Sequence, residues 1–134
     1  MAVVSRLLRI VEERAALLDR IGPEELGDFK AYFSAVYLLQ TQAQALIDMA
    51  QRAAALKGLE VGGYVDAGEK LRLLGVIDDE DLKLYKALVA FRNIVVHQYA
   101  AVDIEVVRKV VAGREYRKMV DLARKIARAA VEDP

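Results

Sequence analysis

Apolar residues recur along most of this chain at intervals of three and four rather than two, the spacing of a helix face rather than of a strand. Val4, Leu8, Val11, Ala15 and Leu18 form the first such stripe, with Arg6, Arg9, Glu12, Glu13 and Arg14 largely off it. Gly22-Pro23 ends that segment. Pro23-Glu24-Glu25 then has the composition of a helix start, because proline needs no amide hydrogen there and carboxylates suit the positive helix end. The second helix is expected from Glu24 to Lys57, a rod of roughly 50 Å. Leu26, Phe29, Phe33, Val36, Leu39 (or Gln40), Ala43, Leu46 (or Ile47), Ala50 and Ala53 (or Ala54) mark its apolar face. Gly58, Gly62 and Gly63 punctuate a loop. A shorter helix follows over Val65–Leu74, closed by Gly75.

Asp78, Asp79, Glu80 and Asp81 open the next helix, where negative charge is favoured, and Leu84, Leu88, Phe91 and Val95 are its expected buried side. A turn near Ala100–Asp103 leads to a short helix around Ile104–Val111. The last helix, about Arg114–Val131, is expected to bury Tyr116, Val120 (or Met119), Ala123, Ile126 (or Ala127) and Ala130. No segment alternates as a strand would, and no internal repeat is evident. The pattern predicts an all-α fold, an up-and-down bundle of four main helices plus one or two short ones. At 134 residues it reads as a single domain, 1–134.

Composition narrows the chemistry. Cysteine is absent and histidine occurs once, which excludes a disulfide framework, a thiol nucleophile and a multi-histidine metal site within one chain. No metal and no cofactor is expected. Lys+Arg equals Asp+Glu at 20 each, so overall charge announces no nucleic-acid partner. The longest uncharged run, Ala31 to Ile47, is short for a membrane span and carries Gln40, Thr41, Gln42 and Gln44. With no basic segment ahead of an apolar one at the start, the expectation is a cytoplasmic protein without membrane association.

The single histidine, His97, and the single asparagine, Asn93, fall together in FRNIVVHQYA, beside Arg92 and Tyr99. At about 100° per residue, Asn93 and His97 lie on one helix face, about 40° apart. Arg92 lies about 140° from His97, and Tyr99 about 20° from Arg92. An unbroken helix therefore does not gather all four. Either the helix ends near His97 so that Gln98-Tyr99 turns back, or a second subunit completes the site; both are expected. Ile94, Val95 and Val96 are β-branched and would stiffen the element. Histidine moves protons near neutrality. Arginine matches phosphate oxygens, asparagine orients a neighbour, and tyrosine bonds or stacks. Together they suit cleavage of RNA by its own 2′-hydroxyl, with arginine stabilising the dianionic phosphorane. The competing reading is structural: a satisfied or merely surface histidine, Arg92 paired with a carboxylate such as Glu80, and Tyr99 capping the core.

Arg92-Asn93-Ile94-Val95-Val96-His97-Gln98-Tyr99 matches R-x4-H-x-Y, the signature of HEPN-domain proteins. "LLQTQAQALIDMAQ", "GGYVDAGEKLRLLGVID" and "FRNIVVHQYAAVDIEVV" resemble the HepT-like branch over most of the chain. The resemblance implies a homodimeric, metal-independent endoribonuclease, the toxin of a toxin–antitoxin pair. Its partner would be an MntA-like minimal nucleotidyltransferase antitoxin that transfers AMP to the motif tyrosine, here Tyr99. Arg92 and His97 would be the catalytic pair, Asn93 and Tyr99 supporting, with two copies of the motif facing a shared cleft. Some HEPN relatives are instead non-catalytic nucleotide-binding or accessory modules, which leaves a dimeric module binding a nucleotide or a nucleotidyltransferase as the alternative.

Three further features stand beside the motif. From Arg108 to Arg128, Arg108, Lys109, Arg114, Arg117, Lys118, Arg124, Lys125 and Arg128 face only Glu115 and Asp121. That surface, with Arg117 and Lys118 as its representatives, would track an RNA backbone or form a solvated helix face. Asp48 sits on an apolar face, where a buried carboxylate needs a partner: a motif side chain or Arg52 one turn on. Tyr32, Phe33 and Tyr37 are expected in packing or dimer contacts rather than as a base-stacking platform.

Overall fold

The computed structural model describes residues 2–130. Its α-helices are α1 (Val3–Leu18), α2 (Phe29–Leu56), α3 (Tyr64–Leu73), α4 (Asp79–His97), α5 (Ile104–Ala112) and α6 (Tyr116–Arg128), with 3-10 turns at Pro23–Gly27 and Tyr99–Ala101. There is no strand among the described residues. Four longer helices and two short ones answer the periodicity. None is long and apolar enough to cross a membrane.

α2 is the centre of the bundle and packs on α1, α3, α4, α5 and α6. Arg14 Nε donates to Thr41 Oγ1 (2.9 Å) and Gln42 Nε2 to the Val11 carbonyl (3.2 Å), so α1 and α2 run antiparallel. α6 returns along α1, with Arg124 Nη2 on Glu12 (2.9 Å) at one end and Tyr116 Oη on Asp19 (2.6 Å) at the other. The buried apolar side chains form one cluster drawn from every helix. Gln42 is the buried polar exception at 1% exposure: its amide also donates to the Tyr116 carbonyl (3.1 Å), tying α1, α2 and α6 together.

The second helix starts later than expected. Glu24 and Glu25 lie in the 3-10 turn, and Asp28 caps α2 by accepting from the Ala31 amide (3.4 Å). Its first turns also differ. Phe29, Phe33 and Tyr37 are 65%, 63% and 58% exposed, whereas Tyr32 packs partly against the core. In the antiparallel register Phe29 lies level with the Pro23–Gly27 turn, beyond the end of α1 at Leu18. Phe29 and Phe33 lie past the end of α1, whereas Tyr37, beside Leu17 and Arg20, is exposed while Val36, Leu39 and Ala43 form the buried face. α4 buries Tyr85, Leu88 and Val89, with Leu84, Phe91 and Val95 only partly covered, because α3 as well as α2 packs on it. The third helix starts one residue early at Tyr64. The last is shorter than expected at both ends, and Val131 lies outside the described residues. α3 ends at Gly75, whose φ of 76° lets the Val76 amide reach back to the Leu71 carbonyl (3.0 Å).

Candidate active site

α4 carries the motif, and both of its ends are locally specified. Asp78 and Asp81 exchange backbone-to-carboxylate hydrogen bonds at the start (2.8 and 3.1 Å), as a capping box does. Asp78 is held below its ordinary value chiefly by the Asp81 amide, against the cost of desolvation and with help from Lys125. At the other end His97 is the last helical residue. Gln98 leaves the helix at φ −139°, ψ 46° while its amide still bonds the Ile94 carbonyl (2.8 Å). The Tyr99–Ala101 turn follows, closed by the Ala101 amide on the Gln98 carbonyl (2.7 Å), and Asp103 caps α5. The helix thus ends at His97, one of the two departures from a single unbroken helix that were expected.

Arg92 is half-buried and held on several sides. Its Nε donates to Gln44 Oε1 (2.7 Å) and its Nη1 to Asn93 Oδ1 (3.0 Å). The guanidinium lies over the Tyr64 ring, 5.2 Å from its centroid, a cation–π geometry. Gln44 in turn donates from Nε2 to Asp48 Oδ1 (2.9 Å). Tyr64 is tethered from behind, its carbonyl accepting from the buried Tyr85 hydroxyl (2.6 Å). Burial, then the Asp48 charge and Tyr64, push that hydroxyl well above its ordinary value, so it stays a donor. Arg92 Nη2 makes no hydrogen bond to another described residue.

Arg92 and Asn93 are therefore brought together by a side-chain hydrogen bond, whereas helical spacing alone set Asn93 on the face of His97. His97 stands exposed at the helix end, and its side chain makes no hydrogen bond to another described residue. The Tyr99 backbone opens the 3-10 turn; its side chain lies outside the described residues. Arg117 and Lys118 are not gathered here. Both sit at the start of α6, Arg117 on Asp19 and Lys118 on Glu115 (3.0 Å), and Lys118 faces the first half of α4 near Lys83 and Ala87. Much of the rest of that basic segment is also paired within the chain: Arg108 with Glu105, Arg114 with Asp19, Arg124 with Glu12 and Lys125 with Asp81.

Sequence reasoning missed Gln44 and Tyr64, and it named Asp48 without the residue through which it reaches the motif. The available signal was Gln44 and Asp48 one turn apart on a long apolar helix. An apolar groove of about 620 Å³ runs between α2, α4, α5 and α6, lined by Leu39, Leu84, Leu88, Phe91, Val110 and Met119 among others. It contains none of Arg92, Asn93 or His97.

A family profile described as Ribonuclease HepT-like matches residues 7–126. The chain belongs to that family. No protein of curated function matches it significantly by sequence. Among solved structures, this HepT-like chain is similar to a tri-AMPylated Shewanella oneidensis HEPN toxin in complex with its MNT antitoxin. The TM-score is 0.80 at 20% identity, over 91% of this chain and 96% of the toxin. It is similar also to a toxin–antitoxin crystallised with AMP-PNP (TM-score 0.79, 19% identity, 90% and 97% covered). A third is the Bacillus subtilis cytosolic protein of unknown function YutE (TM-score 0.81, 16% identity, 96% and 92% covered). These likenesses establish the all-helical HEPN fold.

Proposed function

We propose that this HepT-like chain is the endoribonuclease toxin of a toxin–antitoxin pair, acting as a homodimer whose two copies of Arg92 and His97 share one cleft. The observation that carries the reading is the end of α4: a guanidinium anchored by Gln44, Asn93 and Tyr64 whose Nη2 meets no described acceptor, and an exposed imidazole on the last helical residue. Ile94 and Val96 are exposed aliphatics on that helix, and a second copy would cover them. His97 takes the proton of a ribose 2′-hydroxyl, the resulting oxygen attacks the adjacent phosphorus, and Arg92 stabilises the charge of the phosphorane. The 5′-oxygen leaves with a proton from the second copy's imidazole. The products carry a 2′,3′-cyclic phosphate and a 5′-hydroxyl, and the reaction draws on no metal.

The antitoxin in this reading is an MntA-like nucleotidyltransferase that transfers AMP from ATP to Tyr99. AMP-bearing and antitoxin-bound relatives support it, as does the place of Tyr99 in the turn directly after the helix end. Adenylylation there would add a bulky anion to the turn directly after His97 and oppose the binding of RNA. The test is incubation of unmodified protein with total RNA in EDTA, beside His97→Ala, with product ends analysed. Cleavage leaving cyclic ends, lost in the variant while fold and oligomeric state persist, is the expected result. Intact RNA from wild type with Tyr99 verified free of adduct overturns it in favour of a non-catalytic module that binds a nucleotide or nucleotidyltransferase.

A further inference from the structure

Arg92 can serve an anion only if its planar fork is aimed, and an arginine side chain has several rotatable bonds. Its Nε–H must meet an acceptor, because a guanidinium offers none itself. The group it meets, the Gln44 amide, has one accepting and one donating end. With the wrong end forward, N–H would face N–H and push Arg92 away. What keys the amide is Asp48. A carboxylate only accepts, so Asp48 claims the Gln44 NH2 and leaves Oε1 turned toward Arg92 Nε. Residues 44 and 48 are one helical turn apart on α2, so the keying pair is built into a single rigid element. Tyr64, tethered through its carbonyl to Tyr85, closes one face of the guanidinium, and Asn93 takes part of Nη1.

We propose that Asp48 and Gln44 are positioning residues for Arg92: Asp48 fixes the orientation of the Gln44 amide, and Gln44 fixes the direction of the Arg92 fork. The consequence for cleavage rests on the ribonuclease reading; the placement itself does not. A relay of this kind makes definite demands. The hydrogen-bonded route from Asp48 to Arg92 runs through Gln44, so most of the effect of removing Asp48 disappears once Gln44 is gone; what is left is the action of its charge on Tyr85. A carboxylate is required at 48, so Glu substitutes for Asp better than the near-isosteric Asn. Lysine does not substitute for Arg92, since it lacks the Nε–H that Gln44 holds.

The experiment follows the Arg92 Nε–H resonance by NMR, assigned by its absence in Arg92→Lys, alongside single-turnover RNA cleavage. Wild type is expected to show a slowly exchanging Nε–H. Gln44→Met, which keeps the side-chain volume, should lose that protection and cut RNA about 10- to 100-fold more slowly, the scale on which small misplacements act. Asp48→Asn should shift the resonance and speed its exchange, and Asp48→Glu should restore it. In the Gln44→Met background Asp48→Asn should add far less than it does in wild type. An Nε–H unchanged by Asp48→Asn, or effects of the two substitutions that simply multiply, would overturn the relay. If wild type does not cut RNA, the ribonuclease reading falls, and the resonance alone still decides the relay.

Discussion

Gly68→Ala sets two physical effects of opposite sign against each other. Gly68 lies inside α3 at an ordinary helical φ, where alanine is favoured over glycine by about 1 kcal/mol. Propensity alone therefore predicts a more stable protein. A Cβ at this position, however, would stand 2.4 Å from Tyr85 Cδ2, 2.6 Å from Cε2 and 3.3 Å from Leu82 Cδ1. Ordinary carbon contacts begin near 3.5 Å, so the ring must retreat by roughly 1 Å. It has little room to do so: Tyr85 is fully buried and its hydroxyl is fixed to the Tyr64 carbonyl at 2.6 Å. Overpacking of this kind costs about 1–3 kcal/mol, and the double anchoring places it in the upper half of that range. The net expectation is destabilisation of about 1–2 kcal/mol, a fall in Tm of roughly 4–8 °C. Urea and thermal unfolding measure it directly. Tyr85→Leu, which removes the ring, is the control: in that background Gly68→Ala should cost little or become favourable. A Gly68→Ala protein as stable as wild type or more so would refute the clash. Because Tyr85 tethers Tyr64, and Tyr64 underlies Arg92, the same variant should also disturb the Arg92 Nε–H resonance.

Two further outcomes are expected. Gln42→Met conserves volume but removes two buried hydrogen bonds, to the Val11 and Tyr116 carbonyls; it should cost about 1–2 kcal/mol in the urea midpoint, and no change would mean those bonds contribute nothing net. Asp78 has a lowered folded-state pKa, so its contribution to stability is complete above its ordinary value of 3.8 and lost as pH falls through the lower folded value. Asp78→Asn keeps a good helix cap but cannot ionise. The Tm advantage of wild type over that variant should be present at neutral pH and shrink toward zero well below pH 3.8, whereas an advantage independent of pH would sink the linkage.

What the sequence determined by itself was whatever depends on neighbours a few positions apart. The three- and four-residue spacing produced the helices, the glycines at 58 and 75 their ends, and the acidic run at 78–81 the start of α4. Angular spacing also showed that Arg92, His97 and Tyr99 could not share a patch on one unbroken helix, and α4 does stop at His97. The family was legible because the motif is local too. Tertiary structure alone decided what lay opposite. Phe29 and Phe33 have the period of a buried face and remain exposed, since burial depends on how far the neighbouring helix extends. The basic segment from Arg108 to Arg128 looked like one charged surface, yet Asp19 and Glu12 of α1 and Asp81 of α4 neutralise much of it. Arg92 reaches its keying amide across 48 positions of chain, and Asp48 is hydrogen-bonded to Arg92 through that amide. Local spacing carries no information about such pairs, because the contact exists only once the shared core has brought α2 and α4 side by side.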